Sequence, residues 1–274
     1  MLAGMLVGGA FYQVPQIAAG GLLSPSRRIT MPGPPGGCTE RTWRGTGIDL
    51  QGWHCGARGR RRGTIIYLHG IADNRSSSAG VIRRYVPGGF DVIAYDSRRH
   101  GLSGGDFCTY GFHEKEDLRR VIDSVAPGPV MLFGTSLGAA VALQAAASDP
   151  RITLVIAAEV FSDLQTVARE RAPFALPSWA LHRAFAIAEQ RGSFRIGDVS
   201  PLLAARRVTV PVLLIHGAAD SDTPPAHSER VLAALAGPKR LLLVDGAGHN
   251  QSLNHSDTWD VIDEWIGAIK GKDM

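Results

Sequence analysis

The chain has 274 residues, enough for one large domain or a domain with an insertion, with a core of several layers. Its 45% hydrophobic and 20% charged residues are ordinary for a soluble globular protein. The net charge is only +4, and no aromatic residues interleave with the basic ones, which argues against a nucleic-acid partner.

Met1 to Ser26 carries no charged residue. Leu2 to Tyr12 is apolar, Gln13, Pro15 and Gln16 interrupt the run, and Ile17 to Leu23 resumes it. A positive n-region, the mark of a secretory signal, is missing. Arg27 and Arg28 follow directly and would keep the next residues on the cytoplasmic side of a membrane. Two readings stand side by side. Residues 1–26 are a membrane anchor, or they form an arm packed on a cytoplasmic domain. Thr30 to Gly37 is a Pro/Gly linker by composition. The expected organisation is an N-terminal segment and linker over 1–40, core over 41–158, a helical lid over 159–200, and core again over 201–274.

Within the core, Gly47 to His54 has the mixed alternation of an antiparallel edge strand. Arg58, Arg60, Arg61 and Arg62 then read as a solvated hairpin turn. Thr64–Leu68 and Asp91–Tyr95 are short buried strands, with a helix over Ser76 to Val86 between them. His113 to Val125 places Leu118, Val121, Ile122 and Val125 on one face, as an amphipathic helix does. Strands follow from Val130, over Ile152–Ala157, Val210–Ile215 and Arg240–Val244, with helices over Pro225–Ala236 and Asp257–Ile269. Apolar strands alternating with helices predict a mostly parallel twisted sheet covered on both faces, with ligands at the strand C-terminal ends. Glu159 to Ser200 breaks the alternation with helical patches at Leu164–Arg171 and Trp179–Glu189, and reads as the lid. Its aromatic residues Phe174, Trp179, Phe185 and Phe194 either line an acyl pocket or pack the lid on the core.

Cys38, Cys55 and Cys108 have neither zinc spacing nor a disulfide framework, so their chemistry reads as incidental, with a single disulfide left open. No HxxxH spacing and no Gly-Lys-Ser/Thr phosphate loop occurs. Neither a metal nor a cofactor is expected.

The stretch from Val130 to Ala147 reads strand, sharp turn, helix, with Gly134-Thr135-Ser136-Leu137-Gly138 at the turn. That is the nucleophile-elbow pattern G-x-S-x-G. A second copy, Gly101 to Gly105, lacks a strand before it and a helix after it, which leaves Ser103 as a loop residue. A serine nucleophile needs a base, and the base an orienting acid. His249 follows the last strand, and Asp220 follows the strand ending at Ile215, with Asp222 as the fallback acid. Backbone N–H groups of Leu137 and Ile71 are the oxyanion donors, with Gly70 allowing the loop to come close. His69 reads as a supporting, satisfied histidine. Asp96 and His100 belong to a bracing loop, and His216 reads as buried and hydrogen-bonded.

The blocks Leu68–Gly70, Asp96–Gly105, Gly134–Ala139, Pro211–Asp220 and Gly246–His249 occur in one order, and with them the chain resembles α/β-hydrolase-fold serine hydrolases from about Gly47 to the C-terminus. Thr109 to Asp123 is also similar to a bacterial subgroup with prolyl-oligopeptidase-like or serine-aminopeptidase-like domains. Ala139 stands where prolyl oligopeptidases usually carry a further glycine, and no propeller domain precedes the core. The resemblance implies the acid is the Asp of HGxxDxxxP, here Asp220. It also implies a cofactor-independent hydrolase that acts on a small acyl substrate, by default a carboxylic ester, through an acyl-enzyme. The alternatives are an acyltransferase, a peptidase, or a non-catalytic binding protein on the same fold.

Overall fold

The protein is described by a computed structural model covering residues 2–29 and 33–268, with side chains from residue 13 onward in the first helix. The expectations for Leu2–Tyr12 side chains, for linker residues 30–32 and for a helix reaching Ile269 lie outside the described residues.

Eight strands form one sheet in the order β1-β2-β4-β3-β5-β6-β7-β8. They are β1 (Cys38–Arg44), β2 (Asp49–Cys55), β3 (Gly63–Leu68), β4 (Phe90–Tyr95), β5 (Val130–Thr135), β6 (Ile152–Ala158), β7 (Val212–Gly217) and β8 (Lys239–Val244). β1 and β2 pair antiparallel, as do β2 and β4, and every later pairing is parallel. β3 and β5 are buried at every position, which is why they read as continuous apolar runs without alternation. Their side chains feed two apolar cores. Ile66, Leu68 and Leu132 meet helices α3 (Glu114–Asp123) and α4 (Leu137–Ala146) on one face. Ile65, Tyr67 and Phe133 meet α2 (Ala79–Tyr85) and α9 (Ser256–Ala268) on the other.

Three readings of the sequence are corrected at the antiparallel end. The edge strand is β1, which lies outside the stretch read as the edge. That stretch, as β2, is flanked on both sides. β1 reads CTERTWR and buries only Trp43, so it has no apolar alternation to announce it. Cys38 and Cys55 sit directly opposite each other in the β1–β2 register and form a disulfide, which corrects the view of their chemistry as incidental. The arginine-rich stretch is not a hairpin turn, because β4 lies between β2 and β3. Arg61 there binds Asp91 at 2.5 Å and Arg62 lies over the Phe90 ring, so the run ties the crossover to the sheet.

Helix α1 (Leu2–Leu23) passes through Pro15 and packs against α6 (Ser178–Gly192). Ala19 and Leu23 are fully buried, the Tyr110 hydroxyl donates to Leu22 O (2.9 Å), and the Cys108 N–H donates to Leu23 O (2.8 Å). From Gln13 onward the helix is thus an arm on the domain. Among the described residues no helix is long and apolar enough to cross a membrane. Between β6 and β7 the chain holds α5 (Leu164–Glu170), α6 and the short α7 (Pro201–Ala205), and α8 (Ala226–Ala234) links β7 to β8.

Candidate active site

β5 ends at Thr135 and α4 begins at Leu137, so a single residue turns the chain. That residue, Ser136, has φ 48° and ψ −108°, a conformation that costs a non-glycine residue strain and persists only where the surroundings enforce it. The surroundings are the two flanking glycines. A Cβ at Gly134 would overlap the Gly138 carbonyl, and a Cβ at Gly138 would overlap the Leu68 carbonyl. Strand and helix are in backbone contact at the turn, and the Ser136 N–H is anchored on Ala158 O at 2.8 Å.

Two loops at the same sheet edge reach this serine. His249, after β8, lies with Nε2 3.1 Å from Ser136 Oγ and Nδ1 2.7 Å from Asp220 Oδ2. A carboxylate can only accept, so Nδ1 carries the proton and Nε2 is left to accept from the serine hydroxyl. Asp220 is itself held: the N–H groups of Asp222 (3.0 Å) and Thr223 (2.9 Å) donate to its Oδ1, and His216 Nε2 stands 3.3 Å from Oδ2. Burial pushes the Asp220 carboxyl up, but hydrogen bonds from His216, His249 and Thr223 outweigh it and hold the group well below the usual carboxylate range. Asp222 is exposed and approaches only through its backbone, so the geometry puts Asp220 and not the fallback on the histidine.

The loop after β3 passes close to the serine. A Cβ placed on Gly70 would lie 3.7 Å from Ser136 Cβ. Ile71 follows in that loop, and Leu137 opens α4, where the first N–H groups of a helix have no intrahelical partner. His69 is fully buried. Its Nδ1 donates to Gly70 O (2.7 Å) and its Nε2 accepts from the Ser97 N–H (2.9 Å), so burial keeps it neutral and its ring fixes the loop. Asp96 is buried and accepts from Arg75 Nη1 at 2.6 Å and from the Leu102 N–H at 2.8 Å. Ser103, the serine of the second G-x-S-x-G, is also buried and donates to Asp96 O at 2.5 Å. It is a loop residue whose hydroxyl is engaged by backbone groups, donating to Asp96 O and accepting from the Gln51 N–H.

A different serine–histidine–carboxylate line lies outside this site. Ser162 Oγ is 2.9 Å from His227 Nδ1, and His227 Nε2 is 2.6 Å from Glu170. Here the Ser162 N–H and Arg230 Nη2 already donate to the same Nδ1, at 3.0 and 2.8 Å. Its one lone pair is engaged, and the group reads as a structural tie between α5 and α8. Among the described residues no group of three or more His, Cys, Asp or Glu is arranged to hold a metal ion.

Between α1, α5 and α6 lies an apolar cavity of about 300 Å³. Leu22, Tyr110, Val167, Leu181 and Phe185 line it. Of the four aromatic residues singled out in the insertion, Phe185 alone faces this cavity. Phe174 and Trp179 are exposed, and Phe194 is buried with its ring 6.1 Å from that of Phe112.

Residues 65–265 match the alpha/beta hydrolase family. The chain belongs to that family. Among its relatives are the uncharacterized proteins YqkD of Bacillus subtilis, 34% identical over 75% of this chain and 70% of that one, and YfhR of Escherichia coli K12, 28% identical over 94% and 90%. In fold it is similar to the Pyrococcus furiosus esterase Pf2001, with a TM-score of 0.72 and 23% identity over 89% of this chain and 98% of that one. The acylaminoacyl peptidase of Pyrococcus horikoshii is also similar in fold (TM-score 0.63, 16% identity), and the match spans 83% of this chain and 41% of that one. Family membership and these folds support a hydrolase.

His216 is buried and hydrogen-bonded beside the acid loop, as expected from the sequence. One residue at the site of this family member escaped that reading. Glu159 closes β6 and was read as the first residue of the lid. It is buried, with φ 50°, and faces the His249 loop. A charged residue after an apolar strand ordinarily signals a surface, and nothing local distinguishes this one.

Proposed function

We propose that the protein is a serine hydrolase that cleaves a carboxylic ester through an acyl-enzyme. The observation that carries this reading is the unbroken line Ser136–His249–Asp220 at the C-terminal edge of the parallel sheet. Ser136 Oγ attacks the ester carbonyl carbon as His249 Nε2 takes its proton. Asp220 keeps the second proton on Nδ1 and stabilises the imidazolium. The carbonyl oxygen, now negative, is met by the N–H groups of Ile71 and Leu137, and losing one such donor typically costs about a hundred- to a thousand-fold in rate. The imidazolium then gives its proton to the departing alkoxide. A water deprotonated by His249 attacks the acyl-enzyme, and the acid leaves as Ser136 recovers its proton.

The insertion between β6 and β7 acts as the lid, and the apolar cavity beneath it takes the acyl chain. Apart from Arg171 its lining is apolar, which favours an apolar acyl group. Arg171 at its rim reaches across to Asp222 O (2.9 Å) and to Thr223 Oγ1 (2.5 Å), so lid and acid loop are joined. Turnover of p-nitrophenyl butyrate by the wild type and by Ser136→Ala tests the assignment. The wild type is expected to hydrolyse the ester and the variant to lose nearly all of that activity. Equal turnover by the two would refute the reading.

A further inference from the structure

Glu159 carries two costs that its neighbourhood does not explain by packing. Its backbone sits at φ 50°, in the left-handed region that side chains other than glycine, asparagine and aspartate rarely adopt. Its carboxyl is buried, and Oε2 has no hydrogen-bond partner among the described residues. The backbone is fixed by a bond from the Glu159 N–H to Ile215 O on β7 (2.8 Å), which turns the side chain toward the loops above β7 and β8.

What that side chain meets is the loop that carries His249. Oε1 accepts from the Ser252 N–H at 3.3 Å and from the Ser252 hydroxyl. Ser252 lies three residues past His249 and opens a short 3₁₀ turn over Ser252–Asn254. On its other side the loop is tied to the acid loop by the bond from the Ala219 N–H to Ala247 O, at 2.9 Å. The histidine loop is therefore tied on both sides, and Glu159 holds one of them.

We propose that Glu159 is a positioning residue for His249, fixing the histidine loop through Ser252. The proposal rests on the assignment of His249 as base. Asp220 orients the ring from Nδ1, while Glu159 sets where the loop stands relative to Ser136. The titratable groups facing Glu159 are His249, His216 and Tyr67, with Asp220 shared between the two histidines. Burial pushes the Glu159 carboxyl above the usual carboxylate range, and Ser252, His249 and His216 offset that only in part.

The test is the rate of inactivation by a fluorophosphonate probe, which reads base-assisted attack by Ser136 without needing the natural substrate. It is measured for the full-length wild type, Glu159→Gln, Glu159→Ala and Ser252→Ala between about pH 5 and 9, the range in which a histidine titrates. Glu159→Ala removes the acceptor for both Ser252 donors and is expected to lower the plateau several-fold. Glu159→Gln keeps that acceptor and is expected to recover most of the lost rate. Ser252→Ala removes the hydroxyl donor and is expected to lower the plateau by a similar factor. A Glu159→Ala profile that superimposes on that of the wild type, or a Glu159→Gln rate no higher than that of Glu159→Ala, with Ser136 labelled normally, overturns the role of Glu159 alone. No labelling of Ser136 in the wild type overturns the nucleophile assignment and this proposal with it.

Discussion

Replacing Asp220 by asparagine isolates the function of the acid from its shape. Asp220 Oδ1 accepts from two backbone N–H groups, those of Asp222 and Thr223. In Asp220→Asn the amide oxygen must occupy that position, because an NH₂ there would face two donors. The amide NH₂ is therefore forced to the position of Oδ2, facing His249 Nδ1 and His216 Nε2. His249 can meet an NH₂ only by accepting at Nδ1, which moves its proton to Nε2. Ser136 then faces a donor and has no base. Where an asparagine imposes the wrong tautomer in this way, kcat falls about ten-thousand-fold, equivalent to about 5.5 kcal/mol of transition-state stabilisation. Saturation kinetics with p-nitrophenyl butyrate measure it, and KM is expected to change by less than about threefold, since the lost interaction strengthens only in the transition state. Asp222→Asn touches only an exposed side chain and is expected to stay within about twofold of wild type. A kcat for Asp220→Asn within tenfold of wild type, or an equal loss in Asp222→Asn, would refute this account of the acid.

Other expectations concern the turn, the cavity and the buried histidine. Gly138→Ala pushes a methyl group into the Leu68 carbonyl, so α4 must move off β3. Its Tm, followed by circular dichroism, is expected to fall by about 5–10 °C. Leu181→Trp fills the cavity between α1, α5 and α6. In an acyl-chain-length series it should lower kcat/KM for octanoate esters by about tenfold relative to acetate esters. His100 is buried against His69, and its pKa is lowered to about 4, first by burial and then by that neighbour. The unfolded chain takes up a proton near pH 6.5 and the folded one only near 4, so stability is present above that window and is lost as pH falls through it. His100→Asn retains a donor for Arg98 O, which His100 Nδ1 now binds at 2.9 Å. In urea titrations its stability is expected to fall less steeply between about pH 6.5 and 4, by a difference on the order of 3 kcal/mol.

The site was legible in the sequence where chemistry restricts residue type. Ser136 is marked by the two glycines that backbone contact demands, and Asp220 and His249 by polar residues that follow apolar strands. The strands themselves were legible because a parallel sheet buries both faces and so yields unbroken runs such as Thr64–Leu68. Legibility failed where an element carries no apolar pattern or its partner lies far away in the chain. β1 exposes most of its side chains and is held by pairing with β2 and by the Cys38–Cys55 bond, neither of which leaves a local pattern. Glu159 and Ser252 are 93 positions apart, and Glu159 alone looks like the solvent end of a strand. Gln13, Pro15 and Gln16 interrupt the apolar run in the sequence, yet α1 is continuous through Pro15 and packs on α6.

The central claim is that Ser136 is the nucleophile, and the most direct measurement is the location of a covalent label. Treatment of the full-length protein with a fluorophosphonate, digestion and mass spectrometry should place one adduct on the peptide that contains Ser136, with none formed in Ser136→Ala. An adduct on Ser103 or Ser162, or equal labelling of Ser136→Ala, would contradict it.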